Sequence, residues 1–152
     1  MYKRQIVETL EISPIDGAEG LAKPIGSWDV SAVTDMSSLF AQEFLKEIED
    51  AYKFNGDLSK WDVSRVVNMQ RMFIYASRFN SDLSKWDVSK VTDMSAMFDS
   101  ASKFNKDLSK WDVSSVTSML SMFNSASSFN SDISKWDVSN VCLLYTSPSP
   151  RD

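Results

Sequence analysis

Trp61-Asp62-Val63-Ser64, Trp86-Asp87-Val88-Ser89, Trp111-Asp112-Val113-Ser114 and Trp136-Asp137-Val138-Ser139 are one word written four times at a constant interval of 25 residues. A fifth copy, Trp28-Asp29-Val30-Ser31, lies 33 residues before Trp61, and its unit carries eight extra residues, Ala41 to Ile48. A fixed period in the twenties means that one unit does not bury its apolar face alone and buries it on its neighbours instead. Chains of this kind act through a long surface that repeats, so the period speaks to shape far more than to partner.

The local pattern is cleanest between Leu108 and Asp132. Trp111 and Val113 flank Asp112 at the period of a short strand. Val116, Met119, Met122, Phe123 and Ala126 follow at spacings of three and four, the stripe of a helix of about two or three turns. Ser115 or Thr117 can cap its start. Phe129-Asn130 and Asp132 then read as the return turn, where Asn and Asp bond their own backbone. Each unit is expected to be a short strand, a short helix or tight helical turn, and a loop.

The apolar order L-x-x-W-x-V-x-x-V resembles the leucine-rich repeat, with Trp and Val in the inward leucine places. The longer word W-D-V-S-x-V-T-x-M-x-x-M-F-x-x-A-x-x-F-N-x-D-[LI]-S is similar to the repeats of BspA-type leucine-rich-repeat surface proteins, over Ile25 to Val141. The resemblance implies an α/β fold: a right-handed leucine-rich-repeat-like solenoid with one short strand and one short helix per repeat. It also implies surface display or secretion, and adhesion to a protein or a glycan. Residues 25–141 form the expected repeat domain. Within it, Ser37 to Ile48 has Leu and Phe at helical spacing and reads as a longer first helix. Residues 6–24, with Ile6, Leu10, Ile12 and Ile15 broken by Pro14 and Gly17, read as a strand and turn covering the N-terminal edge.

Both ends read as foreign to the repeats. The tail Cys142 to Asp152, back-translated, resembles a transposase-type sequencing adaptor, and Tyr2-Lys3-Arg4-Gln5 reads as the same element inverted. Residues 1–5 and 142–152 are therefore expected to be adaptor-derived and stay outside fold reasoning. Lys3, Arg4 and Arg151 against Asp152 carry +2, so a net charge of −5 for the chain becomes −7 for the repeat segment. An acidic segment is poorly suited to nucleic acid, whose binding rests on phosphate neutralisation. The same charge disfavours anionic lipid, and no run of eighteen apolar residues offers membrane insertion.

Every repeated side chain becomes a column when units stack. Trp61, Trp86, Trp111 and Trp136 are expected inward, each burying roughly 150–250 Å². Met69, Met72, Met94, Met97, Met119 and Met122 read as core filler. Asn55, Asn80, Asn105 and Asn130 read as buried amides bonding the backbone of the next unit. The outward strand residues Asp62, Asp87, Asp112 and Asp137, with Asp29 at their start, form a candidate partner-binding strip. Lys60, Lys85, Lys110 and Lys135, two residues earlier, belong to the same strip and are placed to offset the like-charge column. The default for this face is solvated charge. Asp57, Asp82, Asp107 and Asp132 read as loop caps.

No catalytic constellation emerges. Histidine is absent, so a serine nucleophile lacks its usual base. The one cysteine lies in the suspect tail, and no Gly-rich phosphate loop occurs. One Asp per unit is too sparse for a calcium cage. The expected function is that of a non-enzymatic interaction module without cofactor or metal, binding protein or glycan. A rigid spacer presenting another domain is the alternative, and a catalytic segment with its active residues elsewhere is a distant third.

Overall fold

The computed structural model describes residues 25–41 and 54–142. The N-terminal covering segment, the longer first helix beyond Ala41, and the ends 1–5 and 143–152 lie outside the described residues. The chain is not the α/β solenoid that the spacing predicts. The regular elements among the described residues are a single 3-10 turn, Ile25–Ser27, and three isolated parallel bridges, Asp35 to Asn68, Asn68 to Asp93 and Asp93 to Ser118. No strand forms at Trp111 and Val113, and no helix forms between Val116 and Ala126.

The helix fails for a backbone reason. Ser38, Arg71, Ala96 and Ser121 occupy one repeat position and have φ of 59°, 57°, 52° and 56°. Tyr75, Ser100 and Ser125 occupy a second, four residues on, at 62°, 61° and 54°. A non-glycine residue in this left-handed region costs roughly 1–2 kcal/mol and ends any right-handed helix. The segment is instead a run of overlapping three-bond turns. Met72 N–H donates to Met69 C=O at 3.2 Å, Ile74 to Arg71 at 3.2 Å and Ala76 to Phe73 at 3.0 Å. Positive φ at the third residue of the first and last of these turns is the type II signature.

The strained positions are retained because they aim alternate amides at the next unit. Met69, Arg71, Phe73 and Tyr75 donate to the carbonyls of Asp93, Ser95, Met97 and Asp99 at 2.8–2.9 Å. Met94, Ala96, Phe98 and Ser100 donate to Ser118, Leu120, Met122 and Asn124 over the same distances. Eight backbone bonds thus fasten three units along one side. Beside them, Asp35, Asn68 and Asp93 accept from the N–H of Ser37, Gln70 and Ser95 at 2.8–2.9 Å, closing a tight turn in each unit.

The remaining side chains of each turn point inward. In the third unit Leu83, Trp86, Val88, Val91, Met94, Met97, Phe98, Ala101 and Phe104 are all buried, while Lys85 and Asp87 are exposed. Aromatic rings form columns along the stack. Phe40, Phe73, Phe98 and Phe123 follow one another at centroid distances of 5.3, 5.5 and 5.6 Å, with planes within 9°. Trp61 and Trp86 lie 6.5 Å apart at 2°, and Trp111 and Trp136 6.4 Å apart at 3°. Each buried indole also needs a hydrogen-bond partner. Trp86, Trp111 and Trp136 find theirs in the carbonyls of Leu58, Leu83 and Leu108, one unit back, all at 3.0 Å. Among the described residues no buried side-chain nitrogen or oxygen is left without a partner.

Candidate functional site

The outward Asp column is built by a local rule. In the word W-D-V-S, the Asp carboxylate accepts the N–H of the Ser two residues on. The distance is 3.0 Å for Asp62–Ser64, Asp87–Ser89, Asp112–Ser114 and Asp137–Ser139. The Ser89 and Ser114 hydroxyls also donate to the same oxygen, at 2.6 Å. The return-turn aspartates repeat the motif: Asp57, Asp82, Asp107 and Asp132 accept from Ser59, Ser84, Ser109 and Ser134 at 2.9–3.0 Å. The two acidic columns are therefore chemically alike. Asp62, Asp87, Asp112 and Asp137 close turns, as Asp57 and its counterparts do, and are not strand residues.

All eight carboxylates are exposed, as are Lys60, Lys85, Lys110 and Lys135. Every one of these aspartates, and Asp29, is held below the ordinary carboxylate value. The Ser hydroxyl is the main cause for Asp29, Asp57, Asp62, Asp87, Asp107, Asp112 and Asp137, followed by the Ser N–H. The order of the two is reversed for Asp82 and Asp132. Neighbouring aspartates act weakly in the opposite sense, Asp112 on Asp87 and Asp137 on Asp112.

Lys60, Lys85, Lys110 and Lys135 act on the return-turn aspartates Asp57, Asp82, Asp107 and Asp132. The cation that acts on Asp62 and Asp87 is Lys90, from the variable position after Ser. That position is Arg65 and Lys90 in the earlier units and Ser115 and Asn140 in the later ones, so the later units carry no cation there.

These shifts set an acid response. A carboxylate whose folded pKa is depressed adds stability above its unfolded value, about 3.9, and loses it as pH falls through the lower folded value. Urea midpoints are expected to hold from neutrality to about pH 5 and to fall progressively below about pH 4. The fall should be shallower in a chain carrying Asp87→Asn and Asp112→Asn, because an amide oxygen still accepts from Ser and no longer titrates. Equal acid slopes in the two chains would show that these turns contribute nothing to the response.

The Asn column bonds as its repetition predicts but is not buried. Asn55, Asn80 and Asn105 accept the N–H of Asn80, Asn105 and Asn130 at 2.8, 3.0 and 2.9 Å. Asn55, Asn105 and Asn130 are exposed and Asn80 is half-buried. Beside this column lies an open groove lined by Asn55, Arg78, Asn80 and Lys103. Sequence reasoning did not single out Arg78 and Lys103. The signal was present as a cation directly before the repeated Phe, in Lys53-Phe54, Arg78-Phe79 and Lys103-Phe104.

Among the described residues no three His, Cys, Asp or Glu side chains converge as metal ligands would, and no helix is long and apolar enough to cross a membrane. The arrangement offers a repeated charged surface: two acidic columns, one lysine column, and a separate basic groove over the Asn amides.

No curated protein and no solved structure matches the chain. The model of one family, described as Mycoplasma protein of unknown function, DUF285, matches residues 13–98 and again 43–146. Two overlapping matches displaced by about one unit and the insertion are what a tandem repeat produces. Together they run over most of its length, and the chain belongs to that family.

Proposed function

We propose that this chain is a non-enzymatic interaction module of a surface-displayed or secreted repeat protein, binding a protein or a glycan through its exposed charged face. The observation that carries the reading is the strip Asp62, Asp87, Asp112 and Asp137. It is exposed in every unit, and one carboxylate oxygen of each Asp accepts the N–H of the Ser two residues on. A row of ionised carboxylates on a stiff backbone suits a cationic protein surface or the hydroxyls of a glycan. The resemblance to BspA-type surface proteins supports the surface location and the adhesive role. It is finer than the family match.

The test is attachment of the full chain to cells and to a glycan array, compared with a fourfold Asp62→Asn, Asp87→Asn, Asp112→Asn and Asp137→Asn chain. Asn retains the acceptor for Ser N–H, so the turns persist, and circular dichroism checks this. One substitution is expected to weaken attachment a few-fold and all four by about 100-fold or more, because contacts on one rigid surface reinforce each other. Unchanged attachment would reduce the strip to a solvated face. The second reading, a rigid spacer presenting another domain, is favoured by the internal use of each carboxylate in a turn. It expects no attachment in either chain.

A further inference from the structure

The basic groove lies in the interior of the stack and is built from one repeat position used twice. Arg78 and Lys103 each stand directly before a fully buried Phe. Phe79 and Phe104 stack at 5.8 Å, so the two cations recur at the interval of one unit. Their backbone is tied on both sides. Just before them, Ser102 Oγ donates to Ser77 C=O at 3.2 Å. Two residues after them, Asn80 Oδ1 accepts Asn105 N–H at 3.0 Å, and Asn55 Oδ1 accepts Asn80 N–H at 2.8 Å. Both cations are exposed on this fixed rim.

Asn55, Arg78, Asn80 and Lys103 line a groove of about 530 Å³. Sites for small ligands run to roughly 300–1,000 Å³. The chemistry of the lining is one-sided. Arg offers a planar fork that meets an oxyanion with two parallel bonds, and Lys adds a point charge. Each Asn has given its Oδ1 to a backbone N–H, which leaves the –NH2 as its donor. The lining holds no carboxylate. Asp57, Asp82 and Asp107 stand nearby in sequence, and the cations that act on them are others: Lys60, Lys85 and Lys110, with Lys106 also on Asp82.

A site made of donors takes oxygen acceptors, and two cations among them select an anion. Its size is limited. Ser128 stands before Phe129 where the cation stood before, and the chain carries −5 overall, so a long polyanion meets repulsion beyond the groove. An extended peptide is recognised chiefly through main-chain bonds. Here the N–H groups of Asn80, Asn105 and Asn130 are already spent on the Asn column. What remains is side-chain donors, charged and neutral, side by side. We propose that this groove binds a short acidic saccharide. Its anionic group lies on Arg78 and Lys103, and its hydroxyl oxygens accept from the –NH2 groups of Asn55 and Asn80. The site uses none of the Asp strip and does not rest on it.

The test is calorimetric titration of the full chain with trigalacturonate at low salt, beside its methyl ester, which is the same sugar without charge. Only the acid is expected to bind. Arg78→Gln and Lys103→Gln are each expected to weaken binding about tenfold, the size of one charge-assisted hydrogen bond, and together to abolish it. Asn80→Asp still accepts Asn105 N–H but puts a carboxylate in the groove, and is expected to abolish binding as well. Arg65→Gln with Lys90→Gln removes the same charge elsewhere and is expected to change nothing. Circular dichroism confirms that each variant keeps the parent fold. The proposal is overturned by no binding of trigalacturonate, by equal binding of the ester, or by equal losses in the two double variants. Equal competition by hexaglutamate would make the groove a peptide site, and equal competition by inorganic sulfate a bare anion site; either result also overturns it.

Discussion

Replacing Trp86 by Ala lowers the stability of the folded chain by roughly 3–5 kcal/mol, the usual range for removing a large buried aromatic. The indole is 4% exposed and lies in a column with Trp61 at 6.5 Å and against Phe73 at 6.3 Å. Its N–H also bonds Leu58 C=O, 28 residues earlier in the chain, so truncation opens a cavity and removes a tie between units. Neighbouring units hold that cavity open from both sides. Trp136 keeps the bond to Leu108 and the stacking on Trp111, but it is half-buried, with no such cover on its forward side among the described residues. Trp136→Ala is therefore expected to cost clearly less. Urea melts of the two variants measure the difference, and equal costs would contradict coupling between nearest neighbours.

The second large effect is expected at a residue with no large side chain. Ala96→Pro should destabilise by about 3 kcal/mol or more, because proline fixes φ near −65° and removes an N–H. Ala96 needs φ of 52° and gives that N–H to Leu120 C=O at 2.8 Å. Ala96→Gly is expected to go the other way and raise stability by about 0.5–1 kcal/mol, since glycine enters the left-handed region without the Cβ penalty. The sign is diagnostic. In a helix, Ala→Gly would cost about 1 kcal/mol. A lowered urea midpoint for Ala96→Gly would therefore restore the helix that the spacing predicts.

The inward set was legible from residue order. Leu83, Trp86, Val88, Val91, Met94, Met97 and Phe98 are apolar in every unit, and a repeated apolar position must find a partner in the next copy. Part of the candidate site was legible too. Asp followed by Ser two residues on is a local hydrogen-bonding rule, which holds for Asp57 and its counterparts as expected. Its extension to Asp62 was missed because Trp61 and Val63 carry a strand-like alternation that no strand uses. That the charge of Lys60 bears weakly on Asp57 was not legible, because distance along the chain does not give the direction in which a turn throws a long side chain.

The sequence by itself determined the period and the apolar column. It did not determine the backbone between Val91 and Phe104. Met94, Met97, Phe98 and Ala101, at spacings of three and four, fit a helical stripe and a run of type II turns equally well. What separates the two is where the amide protons go. A helix sends each to a carbonyl four residues back, whereas here Met94, Ala96, Phe98 and Ser100 send theirs to carbonyls 24 residues ahead. Those four bonds per interface exist only once another unit lies alongside. They offset the cost of φ near 52° and 61° at Ala96 and Ser100, neither of which is a glycine that would have announced the conformation. The choice between helix and turns is therefore made by contacts between units, and only the tertiary structure contains it.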